Sequence, residues 1–344
     1  MFMVGEGQTV PRIDYSTVSG LFMQDEPHVD PTIFDYTKTN FGLIDRTYET
    51  DADFDPNHKK TQWQRFEYYV QQLNKLSKDD VRYKLLYMGR HGEGVHNVAE
   101  SYYGTTAWND YWAKEDGNGT TTWADAHLTP KGIQQALAAH SFWVSQLEAE
   151  RMPAPEKYYA SPLHRCLATA NNTFFRLELP EDRPFVPEIK EVCHTHFPFS
   201  RSSHIPSSRK KANISNIPLF LRQQLLRETI GEHTCDRRST ATYIHAEFPD
   251  FPFEPAFSET DPLWSPTIRE THAQHDRRMK KLLDDVFTHD GSAFISFTSH
   301  SGAIASILRV LQHREFPLLT GAAIPVLVKA KMVGGTEGVK GLAG

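Results

Sequence analysis

Apolar positions along this chain follow two periods. Residues 62–77, QWQRFEYYVQQLNKLS, place Trp63, Phe66, Val70 and Leu73 on one helical face. From Lys84 onward, short apolar runs alternate with amphipathic stretches. KLLYM (84–88) reads as a strand ended by Gly89. The stretch 128–150 reads as a helix with Thr129 as N-cap and Pro130 at its first position, and it sends Leu137 and Trp143, with Leu128 just ahead of them, to the core. KYYAS is a strand, SPLHRCLATANNTFFRL a helix starting at Ser161 and Pro162, and RPFVPEIKE contains a strand. FISFTSH is β-rich and passes into the helix-like SGAIASILRVLQ; AIPVLVKA is a last strand. This alternation predicts an α/β fold, a three-layer α/β/α sandwich around a mostly parallel sheet. Ligands in such folds sit at the C-terminal strand ends, near helix N-termini.

Three regions follow. Residues 1–80 are an N-terminal extension, irregular over 1–60, that packs on the domain. Residues 81–332 are one α/β domain, and 333–344 a flexible tail. Within the domain, 192–224 is out of character. It holds no Asp or Glu, whereas 43 of the 344 residues are acidic. One reading is a flexible basic surface loop. The other is an intron retained in the coding sequence. Val192-Cys193 is encodable as a splice donor and Gln224 as an acceptor, and removing 192–224 joins Glu191 to Leu225 in frame.

Composition narrows the function. Hydrophobic residues are 39% and charged residues 23%, enough apolar material for a sizeable core. A net charge of −6 argues against a nucleic-acid partner. The three cysteines form no C-x-x-C pair, the N-terminus lacks a signal-peptide pattern, and no run approaches 18 apolar residues. A soluble, cytoplasmic protein is expected. Cys193, His194 and His196 lack a second ligand pair at metal-site spacing, so no metal is expected.

The chemistry lies at predicted strand ends. Arg90 and His91 follow LLYM, Arg165 lies one turn past YYASP, Glu228 lies in LLRETIG, and His300 ends FISFTSH. The ordered set GRHGEGVHN, DAHLTPKG, ASPLHRCLATA, LLRE and TSHSG resembles the histidine phosphatase superfamily, its phosphoglycerate mutase-like group, over about Lys84 to Ala330. The Arg-His-Gly-x-Gly-x-His-Asn form is most similar to fungal and plant members of uncertain substrate.

The resemblance implies a metal-independent phosphoryl transfer without a cofactor. His91 would be the nucleophile that carries a phosphohistidine, and Glu228 the general acid. Arg90, Arg165 and His300 would hold the phosphoryl oxygens. Physical chemistry supports these types, because a phosphoryl group in flight spreads charge over three oxygens and needs fixed cationic donors. Asn97 could donate to the same phosphate, and Gly92 and Gly94 would make room for it. Glu93 and His96 either line the entrance or are solvated. Arg237 either holds an anionic substrate or pairs on the surface. Asp125 and Thr129 read as structural. The long segment 98–127, with Tyr102, Tyr103, Trp108, Tyr111, Trp112 and Trp123, is either a cap over a bulky substrate or a small core of its own. Its length favours a phosphomonoesterase acting on a small phosphorylated metabolite over a mutase. A non-catalytic phosphate-binding scaffold is the rival from another class.

Overall fold

The computed structural model describes residues 12–190, 226–254 and 257–334. The segment 192–224 and the tail beyond residue 334 lie outside the described residues. In chain order the elements are β1 (Arg12–Thr17), α1 (Asp51–Phe54), α2 (Gln62–Leu76), β2 (Val81–Arg90), α3 (Val95–Tyr103), α4 (Thr105–Asp110), α5 (Pro130–Ser145), β3 (Lys157–Ala160), α6 (His164–Phe174), β4 (Pro187–Ile189), α7 (Ala241–Glu247), α8 (His272–His289), β5 (Phe294–Ser299), α9 (Ser301–Val310) and β6 (Ala323–Val333). The six strands form one sheet in the order β1-β6-β2-β5-β3-β4.

Period-2 geometry splits the apolar run of β2 between the two faces. Leu86 and Met88 pack with Met279, Leu283, Ile304 and Ile307 of α8 and α9. Leu85 and Tyr87 pack with Trp63, Phe66 and Val70 of α2 and Phe142 and Trp143 of α5. Burial on both faces explains why LLYM is continuously apolar rather than alternating. Thr61 caps α2 through a capping box with Gln64, and Thr129 caps α5 ahead of Pro130.

Register brings the site together. β2, β5 and β3 run parallel, with Arg90 opposite Ser299 and Ala160 opposite Thr298. The ladder continues one step past each strand: His91 N–H donates to the Ser299 carbonyl at 2.9 Å and Ser161 N–H to the Thr298 carbonyl at 3.0 Å. His91, His300 and Ser161 therefore leave the sheet at one level.

Several elements differ from expectation. The last strand, β6, runs antiparallel to β2. After α9 the chain first returns along residues 311–322 to the C-terminal edge of the sheet, and only then enters it. That return places the Ala322 carbonyl on the Arg90 N–H (2.9 Å) and the Gly321 N–H on the His91 carbonyl (3.0 Å). The N-terminal extension is less irregular than its composition suggests. β1 pairs antiparallel with β6, and Leu21, Phe22, Tyr36, Phe41 and Leu43 enter the α2–α5 core. Helix α6 starts at His164 rather than Ser161, because Ser161 still belongs to the strand ladder. Leu137 faces outward at 40% exposure, and Leu128 is only half-buried. Leu226 to Ile230, which carries Glu228, is irregular backbone with bends.

The loop after β2 is fixed by a glycine contact. A Cβ on Gly92 would lie 2.3 Å from the Gly132 carbonyl oxygen, and one on Gly132 would lie 2.1 Å from that of Glu93. Backbone crosses backbone here, so Gly92 makes room for α5 rather than for a ligand. Gly→Ala in a helix ordinarily stabilises by about 1 kcal/mol. At Gly132 the sign should reverse, with a loss of about 1–3 kcal/mol from overpacking. Urea denaturation of Gly132→Ala checks this, and a midpoint at or above wild type would refute the contact.

Candidate active site

The centre of the site is the His91 imidazole, buried at the end of β2. Its Nδ1 lies 2.7 Å from the Gly92 carbonyl oxygen, and its Nε2 lies 3.3 Å from Nε of Arg165. A carbonyl only accepts, so the neutral ring carries its proton on Nδ1 and turns the Nε2 lone pair outward. Burial, then Arg165 and Arg90, hold the His91 pKa well below the ordinary imidazole value. The nitrogen facing the arginine is a free base.

Arg165 occupies the first turn of α6, whose leading N–H, on His164, donates to Asp125 Oδ1 at 2.9 Å. Asp125 adopts φ +41° and accepts from Ser239 N–H through its other oxygen at 2.8 Å. One carboxylate thereby ties the α6 start to the 233–239 segment, consistent with the structural role expected of it. The Arg165 guanidinium is fully buried. Nη1 donates to the Cys235 carbonyl (2.6 Å) and Nη2 to Asp236 Oδ1 (2.9 Å). Burial is the largest influence and works against its charge, but the Asp236 carboxylate and the further groups around it, Asp125 among them, together outweigh burial and its pKa is raised.

Arg90 reaches the same space from β2. Nη1 donates to the Leu318 carbonyl at 2.7 Å, while its buried Nε has no partner. An orphaned guanidinium N–H is a donor that a bound anion would satisfy. Burial lowers the Arg90 pKa and Arg165 adds to this, while the Glu228 charge opposes it. Glu228 stands at the N-terminus of α9, where Oε2 accepts from Gly302 N–H at 2.9 Å and Oε1 from Thr229 N–H at 2.9 Å. A Cβ on Gly302 would lie 2.1 Å from Oε1, so this glycine is what admits the carboxylate. His300 precedes α9 and its ring centroid is 5.2 Å from that of His91. Ser161 Oγ lies 2.7 Å and Cys166 Sγ 3.3 Å from its Nε2. Burial and Arg165 lower its pKa well below normal. The structure thus gathers His91, Arg90, Arg165, Glu228 and His300 around one point.

The remaining candidates are engaged elsewhere. Asn97 caps α3, its Oδ1 accepting from Gly94 N–H at 2.9 Å. Glu93 accepts from Thr129 Oγ1 (2.9 Å) and pairs with Lys131 (2.8 Å), the latter chiefly holding its carboxyl below the usual range. Arg237 pairs with Asp116 at 2.7 Å and lies 4.9 Å from the Trp264 ring centre. Of the aromatics in 98–127, Trp108 and Trp123 are buried in a cluster that includes Ala113 and Cys235, with Tyr103 and Trp112 against it. Tyr102 and Tyr111 stay exposed. The segment therefore builds a small core of its own, behind the carbonyl that holds Arg165.

Sequence reasoning missed Asp236, Ser161 and the Cys235 carbonyl. Asp236 lies in TCDRR, where adjacent arginines draw attention away from the acid between Cys and Arg. Ser161 was masked by its helix-start pattern. His233, Cys235 and Asp236 bring possible ligand atoms within 4.8 Å of one another. Asp236, however, already faces Arg165 and, at 3.7 Å, Arg269. Two guanidinium charges at that carboxylate oppose a cation, and the cluster suits the arginine better than a metal.

A family profile described as the histidine phosphatase superfamily (branch 1) matches residues 86–193. A probable phosphoglycerate mutase of Arthroderma benhamiae is 50% identical over 329 residues, 96% of this chain and 88% of that protein. A phosphomutase-like protein of Candida albicans is 31% identical over 95% of this chain and 83% of its own length. A probable phosphoglycerate mutase of Saccharomyces cerevisiae is 32% identical over 79% of this chain and 85% of its own.

Two predictions follow from the electrostatics. Asp236→Asn leaves the buried Arg165 charge without its counter-ion and should destabilise the fold by about 3 kcal/mol. Denaturant titration measures this, and a loss below about 1 kcal/mol would show that the charge is held by the carbonyls alone. The second concerns pH. The His91, His96 and His300 pKa values are all lowered by burial. The unfolded chain binds protons on these residues below about pH 6.5, where the folded chain does not. Their contribution is complete above about pH 6.5 and declines as pH falls from there. The urea midpoint should be level from about pH 8 to 7 and drop between about 6.5 and 5. A level midpoint across the lower range would contradict neutral, buried imidazoles.

Proposed function

The chain belongs to the histidine phosphatase superfamily, in its phosphoglycerate mutase-like group, and we propose that it is a metal-independent phosphomonoester hydrolase working through a phosphohistidine. The observation that carries this reading is the His91 tautomer. With Nδ1–H committed to the Gly92 carbonyl, Nε2 presents its lone pair to the Arg165 donor, where a phosphoryl group would lie.

In the proposed reaction the phosphoryl oxygens take the Arg90 Nε–H and Arg165 Nε–H donors, the latter leaving His91 Nε2. That nitrogen attacks phosphorus, the N–P bond forms and the ester P–O bond breaks. A proton carried in by the phosphate monoester passes to the Glu228 carboxylate, and the leaving oxygen takes it from there. Water then attacks the phosphohistidine, the N–P bond breaks, and Glu228 recovers a proton. Two fixed guanidinium groups supply the charge stabilisation that metal ions give in other phosphoryl transferases, each preorganised donor contributing on the order of 10²–10³ in rate. The substrate is a small phosphorylated metabolite, and the setting cytoplasmic. No helix among the described residues is long and apolar enough to cross a membrane.

The names of the relatives favour a second reading, phosphoryl transfer to another hydroxyl as in a phosphoglycerate mutase. One assay separates them. The protein should hydrolyse p-nitrophenyl phosphate in the presence of EDTA, and His91→Ala, shown to be folded by a cooperative thermal transition, should lose at least about 10³-fold in kcat. Loss of turnover in EDTA, or retained turnover in His91→Ala, would overturn the mechanism. Interconversion of phosphoglycerates outpacing phosphate release would replace hydrolase with mutase.

A further inference from the structure

His96 has no place in the mechanism above, yet it is buried beside it. It stands in the first turn of α3, 8% exposed, with its ring centroid 5.5 Å from that of His91. The groups that act on its charge are those framing the phosphoryl position: Arg165, His91 and Arg90, with His233 beyond. Together with burial, they keep the ring neutral.

Its protonated nitrogen follows from the packing. A Cβ on Gly94 would lie 2.7 Å from both Cε1 and Nδ1 of His96. That edge of the ring rests on the Gly94 backbone, and Nδ1 has no hydrogen-bond partner. A neutral imidazole leaves one nitrogen bare and protonates the other. A lone pair against a Cα is less costly to bury than an N–H without an acceptor. The proton therefore sits on Nε2, at the ring edge away from Gly94. Gly94, expected to make room for phosphate, makes room for this imidazole instead. A core position with no polar partner would be filled better by an apolar side chain. An imidazole held there with one orphaned nitrogen, among two arginines and a nucleophile, needs an acceptor that arrives from outside.

We propose that His96 is a substrate-contacting residue whose Nε2–H donates a hydrogen bond to an oxygen of the phosphoryl group bound at His91. The inference rests on the phosphatase reading and adds a neutral donor to it. Such a donor binds the anion without adding a third cation beside Arg90 and Arg165, whose charges already oppose protonation of the nucleophile.

Orthovanadate, a phosphoryl transition-state mimic, serves as the probe, with direct binding measured by calorimetry on the full chain. A hydrogen bond to a charged group contributes about 1.5–3 kcal/mol, so His96→Leu should weaken vanadate binding roughly 10- to 100-fold. His96→Gln places an amide N–H near the Nε2 position and should stay within about 3-fold of wild type. His96→Asn is too short to reach that position and should fall with the leucine variant. Thermal midpoints confirm folding, and the asparagine variant decides the matter if the leucine one does not fold. Wild-type affinity in a folded leucine or asparagine variant, or no rescue in a folded glutamine variant, overturns the proposal. Failure of the wild-type protein to bind vanadate or turn over p-nitrophenyl phosphate would instead overturn the phosphatase reading itself.

Discussion

Arg165 carries an almost wholly buried charge, and the neighbours that compensate it come from two distant parts of the chain. The Asp236 carboxylate and Cys235 carbonyl take its two terminal nitrogens, and His91 takes the third. A buried guanidinium without such partners would destabilise the fold outright, so the site and the fold share this constraint. The aromatic segment 98–127 follows from it. Trp108 and Trp123 pack against Cys235, and Trp123 Nε1 donates to the Trp112 and Glu115 carbonyls. Thr234 Oγ1 in turn donates to Glu115 O at 2.7 Å. These bonds tie the wall behind the arginine to the segment whose carbonyl holds the guanidinium.

A second constraint is the level at which strands leave the sheet. Parallel pairing of β2, β5 and β3 sets His91, His300 and Ser161 side by side, as the ladder bonds of His91 and Ser161 show. The antiparallel β6 serves the same edge. Its approach along 311–322 delivers carbonyls to both the backbone and the guanidinium of Arg90. The N-terminal extension reaches this return too: Tyr36 Oη donates to the Gly321 carbonyl at 3.3 Å, and the His313 imidazole lies 3.2 Å from Asp25. An extension that looks peripheral in sequence thus supports the loop under His91.

What the sequence made legible and what it hid divide along physical lines. A helix with a strong period, such as α2, and a run apolar throughout, such as LLYM, could be read because their pattern is imposed by nearby core. The residues His91, Arg90, Arg165 and His300 could be read because each sits at a local punctuation, a strand end or a helix start. Asp236 and Ser161 could not, because their roles exist only across long sequence distances, 71 residues to Arg165 and 139 to His300. The direction of β6 was hidden for a related reason: an apolar run carries no sign of which end enters the sheet first. β1 was hidden because an edge strand buries one face only and has few apolar positions to show.

The glycines make the same point from the other side. A motif glycine invites the reading that a ligand needs its space. Here Gly92 yields to the backbone of Gly132, Gly94 to the ring of His96, and Gly302 to the carboxylate of Glu228. In each case a missing β-carbon lets a part of the protein itself come close: a backbone carbonyl at Gly92, an imidazole at Gly94 and a carboxylate at Gly302. The room is taken up by groups of the protein itself around His91. This is why the loop after β2 tolerates so little side chain, and why its charge density survives burial.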